Sequence, residues 1–91
     1  MRVHVYQEHI DRGYPHSATN CPVALAIRDV VGTQDVSVIP DVAYVGTIFK
    51  GQRFDLPEEV SEFIFEFDAD GDVAPFEFEM EHAPYGLVGR P

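Results

Sequence analysis

Leu56-Pro57-Glu58-Glu59-Val60-Ser61-Glu62-Phe63-Ile64-Phe65-Glu66-Phe67-Asp68, then Asp70-Gly71-Asp72, then Val73-Ala74-Pro75-Phe76-Glu77-Phe78-Glu79-Met80-Glu81-His82: along this run the hydrophobic period changes from helical to alternating. In the first part Leu56, Val60, Phe63, Ile64 and Phe67 share one stripe at about 100° per residue. Pro57 at the first helical position loses no hydrogen bond, and Glu58 and Glu59 occupy the first turn, where the helix dipole favours anions. The spacing predicts a helix over 57–68. The Asp-Gly-Asp sequence turns the chain, and a strand is predicted over 73–82, with Phe76, Phe78 and Met80 on one face and Glu77, Glu79 and Glu81 on the other. A helix followed by a half-buried strand implies an α+β domain whose sheet is covered on one face.

Upstream, Arg2-Val3-His4-Val5-Tyr6 alternates with period two and predicts a first strand. Gln7 to Asp11 reads as one helical turn ended by Gly13, and Tyr14 to Asn20 as a loop. Asn20 ahead of Cys21-Pro22 is a helix start, the side-chain oxygen capping orphan N–H groups. Val23, Ala26, Ile27 and Val30 then recur at helical spacing up to Gly32, a left-handed stop. Two β-rich runs follow, Asp35 to Ile39 and Val42 to Phe49, joined by a tight turn at Pro40-Asp41. Lys50 to Arg53 reads as a loop.

The order strand, helix, strand, strand, helix, strand predicts a single two-layer domain over 1–82. Its expected form is a four-stranded, mostly antiparallel sheet with two helices on one face, in a ferredoxin-like arrangement. Residues 83–91, with two Pro and two Gly, are expected to form a flexible tail.

Composition narrows the function. The chain has 91 residues, 45% of them hydrophobic, with seven Phe, enough for a small core and unlike a disordered acidic tail. A single Cys rules out an intramolecular disulfide. No leader-like segment or bilayer-length apolar stretch is present, so the expected location is cytoplasmic. The net charge is −10, which disfavours direct contact with nucleic acid or an anionic membrane.

That charge is local. Between Asp55 and Glu81 there are eleven carboxylates and no Lys or Arg, whereas the rest of the chain holds five acids and six bases. Glu58, Glu59, Glu62 and Glu66 lie on the polar side of the predicted helix. Glu77, Glu79 and Glu81 recur every second residue, about 6.6–6.8 Å apart on a strand, a spacing comparable to that of charges along a nucleic-acid backbone. Side by side, helix and strand would present one continuous anionic face suited to the cationic groove of a nucleic-acid-binding protein. Phe65 falls outside the apolar stripe, among these carboxylates, where an aromatic side chain would serve as a contact anchor. The plainer reading is a solvated surface that keeps a small protein soluble.

The segments Cys21-Pro22-Val23-Ala24-Leu25-Ala26, Phe54-Asp55-Leu56-Pro57-Glu58-Glu59-Val60-Ser61-Glu62-Phe63-Ile64 and Val73-Ala74-Pro75-Phe76-Glu77-Phe78 resemble a group of small, uncharacterised proteins encoded by bacteriophages and related actinobacterial elements. The chain departs from that pattern at Phe65, where a polar residue is usual. The resemblance implies no activity. It implies a context, that of an accessory protein inside an infected cell, where small acidic proteins block host enzymes.

Other chemistries fare worse. Counting from Asp68, carboxylates fall at positions one, three, five and twelve of a calcium loop (Asp68, Asp70, Asp72, Glu79). Position six, however, is Val73 rather than Gly, Pro75 follows at eight, and no second helix is indicated. Cys21 at a helix start, with His9 and His16 upstream, lacks the orienting group and oxyanion site of a nucleophilic pair. His16 and Cys21 lack further ligands at zinc spacing. The reading is therefore a binding protein and not an enzyme, with no catalytic residues, no metal and no cofactor. Its expected partner is a host protein with a basic surface, met through Glu58, Glu62, Phe65, Glu66, Glu77, Glu79 and Glu81. The alternatives are a homodimeric module covering Phe65, and a small-ligand-binding protein using the Tyr14 to Cys21 loop.

Overall fold

The computed structural model describes residues 1–46 and 51–82. Its elements are β1 (Arg2–Val5), α1 (Gln7–Arg12), α2 (Pro22–Val31), β2 (Val36–Ile39), β3 (Val42–Val45), β4 (Gln52–Asp55), α3 (Glu58–Asp68), β5 (Phe76–Glu79) and β6 (Glu81–His82). The α+β class holds, but the expected single four-stranded sheet under two helices does not. Among the described residues the strands form two antiparallel sheets, one of β1 with β5 and one in the order β2-β3-β4-β6, with three helices.

Two features produce the difference. Gln52 and Arg53, expected as part of a loop, instead open β4, a strand because it pairs along β3, with Phe54 opposite Ala43 and both buried. The last strand changes partner midway. Phe76 to Glu79 pairs with β1, Met1 exchanges backbone hydrogen bonds with Met80 at 2.9 and 2.8 Å, and Glu81 and His82 then pair with β4. Met80, 1% exposed, stands where the two sheets join. The predicted stretch Val73 to Pro75 is not strand, and the predicted continuation of β3 to Phe49 and the tail 83–91 lie outside the described residues.

α2 is the central element. Val23, Ala24, Ala26 and Ile27 have no exposed surface, and α2 packs on α1, β1 and β2. Pro22 opens the helix and Gly32 closes it in the left-handed conformation (φ 76°), as expected. The expected cap is not made. Cys21 holds the N-cap position without a side-chain hydrogen bond, and the Asn20 Oδ1 instead accepts from Arg28. Gly13 ends α1 against the Pro22 ring, where a Cβ would stand 2.5 Å from Cδ.

α3 docks through Val60, Phe63 and Ile64, with the Phe63 ring 4.7 Å from that of Phe76 and Phe76 5.6 Å from Phe78. Its C-terminus is a Schellman turn in which Gly71 N–H donates to Glu66 O and Asp70 N–H to Phe67 O, with Asp70 in the left-handed position (φ 64°). The strand alternation holds, since Phe78 and Met80 are buried while Glu77, Glu79 and Glu81 are exposed.

Candidate functional site

The structure sorts the acidic residues into matched and unmatched. The antiparallel register places Arg2 opposite Glu79 and His4 opposite Glu77. Arg2 Nε lies 3.6 Å from Glu79 Oε1, His4 Nε2 lies 3.1 Å from Glu77 Oε1, and the Met1 amino group donates to Glu79. That donation, with Arg2 adding its attraction, holds the Glu79 carboxyl below the usual carboxylate range. Glu81 lies beyond this ladder, opposite another acid, Asp55. Two of the three predicted strand carboxylates are thus matched from within by the first strand.

α3 is different. At about 100° per residue Phe65, Glu58, Glu62, Glu66 and Glu59 fall within an arc of about 120°, opposite the buried Val60, Phe63 and Ile64. All five are exposed, Phe65 by 64%. Among the described residues, Glu58, Glu59, Glu62 and Glu66 have no ion-pair or hydrogen-bond partner for their carboxylates, and nor do Asp70 and Asp72 in the following turn.

The flank beside Phe65 is fixed. One helical turn before it, Ser61 Oγ donates to Pro40 O at 2.8 Å, and three residues after it Asp68 Oδ1 accepts from His16 N–H at 2.9 Å. These bonds tie α3 to the β2–β3 turn and to the loop preceding α2, so the aromatic ring is carried by a braced surface.

The predicted single face is not assembled. Phe63 lies against Phe76, so α3 covers the face of the last strand to which Phe76 points, and Glu77 and Glu79 stand on the opposite face. Of the predicted residues the structure brings together Glu58, Glu62, Phe65 and Glu66, and sets Glu77, Glu79 and Glu81 apart from them.

The residues weighed for catalysis and metal binding have other employment. Tyr6 N–H donates to His9 Nδ1 at 2.9 Å, which makes Nδ1 the acceptor, so Nε2 carries the proton shared with Asp29 Oδ2 at 2.7 Å. Both ring nitrogens of this buried His9 are used, and no nucleophile stands on either. Cys21 is 4% exposed, and burial pushes its thiol pKa up. Asp68 is engaged by His16, and among the described residues no group of three or more His, Cys, Asp or Glu side chains could hold a metal ion. Sequence reading missed the His9–Asp29 pair, since residues twenty apart on two different helices leave no local signal. Among the described residues no helix is long and apolar enough to cross a membrane. No protein-family model, curated protein or solved structure matches the chain.

Proposed function

We propose that the protein acts by binding another protein that carries a basic surface, and that the outer face of α3 is the contact. The observation that supports this is a set of six carboxylates (Glu58, Glu59, Glu62, Glu66, Asp70, Asp72) unpaired among the described residues, beside a 64% exposed Phe65 on a braced helix. Glu58, Glu62 and Glu66 meet cations of the partner, Phe65 supplies the apolar contact that charge alone lacks, and Glu77, Glu79 and Glu81 contribute field from the other face. The activity is binding and not catalysis. A groove shaped for nucleic acid is the natural counterpart, since it concentrates Lys and Arg. With the phage-like sequence resemblance, this makes the protein an accessory factor of the host cytoplasm that occludes a nucleic-acid-handling or defence protein.

The test is capture from host lysate with the intact protein and with a Phe65→Ala, Glu62→Lys variant, followed by competition of the captured protein with DNA. The reading expects a basic protein that the intact form retains, that the variant loses, and that DNA and salt displace. Retention of the same proteins by the variant would contradict it. Phe65-dependent dimerisation surviving high salt on gel filtration would instead assign the face to a second copy of the chain.

A further inference from the structure

Among the described residues Arg28 is a cation without a counter-ion. All sixteen acidic side chains lie among the described residues, yet none forms an ion pair with Arg28. Its Nη2 donates to Thr19 O at 2.5 Å and to Asn20 Oδ1 at 3.3 Å, both uncharged acceptors, and its Nε is buried with no partner. The guanidinium is thus held in place at the solvent boundary by neutral acceptors, with no carboxylate beside it.

Arg28 lines a cleft of about 370 Å³ between the ends of α1 and α2, floored by Leu25 and bordered by Arg12, Asp29, Thr33 and Gln34. Each polar side chain has capacity to spare. Among the described residues Arg12 meets only Glu8, at 3.7 Å and in solvent. Asp29 gives Oδ2 to His9 and keeps Oδ1. Thr33 Oγ1 accepts from Asp35 N–H and keeps its own hydroxyl proton, while the Gln34 amide has no partner among the described residues. Two arginines against one aspartate make the cleft net positive in a chain of charge −10.

We propose that this cleft binds a small molecule with a single carboxylate group and a hydrogen-bond donor beside it, a hydroxy acid or a zwitterionic amino acid. Arg12 and Arg28 take the carboxylate, for which the guanidinium fork is matched. Asp29 Oδ1 accepts from the ligand's hydroxyl or ammonium group, and Thr33 and Gln34 fix its orientation. A phosphate dianion fits less well, because Asp29 and the negative ends of α1 and α2 oppose a second charge.

The test is ¹⁵N-resolved NMR of the intact protein titrated separately with lactate, L-serine, acetate and inorganic phosphate. Lactate or serine is expected to give saturable shifts at Arg28 Nε–H and at the Gly32 to Gln34 amides, with acetate weaker. Arg12→Gln, an exposed change that leaves the fold intact, should weaken binding about ten- to a hundred-fold, the value of a charge-assisted hydrogen bond. Arg28→Lys, its fold checked by the same spectrum, should do likewise. Absence of saturable shifts, binding indifferent to Arg12→Gln, or phosphate binding tighter than either donor-bearing carboxylate would each overturn the proposal.

Discussion

Asp70 occupies the left-handed position that closes α3, a place where glycine is usual and where a carboxylate also faces the negative end of the helix dipole. Asp tolerates this backbone better than most residues but still at a cost, part of which glycine's larger unfolded-state entropy would cancel. Asp70→Gly should therefore stabilise the protein by about 0.5–1 kcal/mol in urea unfolding, and Asp70→Asn should recover the electrostatic share. A loss of stability in Asp70→Gly would show that the side chain contributes something the Schellman turn does not require. Cys21 gives a pH prediction. Its pKa is raised by burial in the folded state, so the unfolded chain ionises first as pH rises. The contribution is fully present below the ordinary thiol value and is lost as pH climbs through the folded one. Cys21→Ala should flatten the alkaline limb of the stability–pH curve, and an unchanged limb would assign the loss to other groups.

At the scale of elements, what was legible in the sequence follows how local the physics is. α2 and α3 announce themselves, because Pro22, Gly32 and the stripe of Val60, Phe63 and Ile64 act within a single helix. β4 was not legible. Gln52-Arg53-Phe54-Asp55 buries only Phe54, and the segment is a strand through its pairing with β3. Nor could alternation reveal that the last strand would leave β1 for β4 at Met80, since the side-chain period continues unbroken through Glu81. That change of partner sets Glu81 opposite Asp55, two acids across a ladder. Glu81→Lys should stabilise the protein by about 0.2–1 kcal/mol, toward the lower end because both side chains are exposed. The gain should shrink with added salt, and a salt-independent effect would mean that the like-charge pair is not its source.

For the whole molecule, the sequence showed how much charge the segment 55–81 carries but not how it is distributed in space. Matching of Glu77 and Glu79 by His4 and Arg2 depends on pairing between the first and last strands, residues more than seventy positions apart. Among the described residues Glu58, Glu59, Glu62 and Glu66 on the outer face of α3 have no such neighbour, whereas Asp68 at its end is engaged by His16. The folded protein therefore has an anionic pole with an aromatic edge at α3, and a separate, locally positive cleft at the ends of α1 and α2. The measurement that tests this sorting most directly is amide chemical-shift mapping during titration with an arginine-rich peptide containing one apolar residue. Saturable, salt-sensitive shifts are expected along Glu58 to Glu66 and at the Phe65 ring, with little change at Glu77 and Glu79. Shifts centred on the last strand, or spread evenly over all exposed acids, would contradict this sorting.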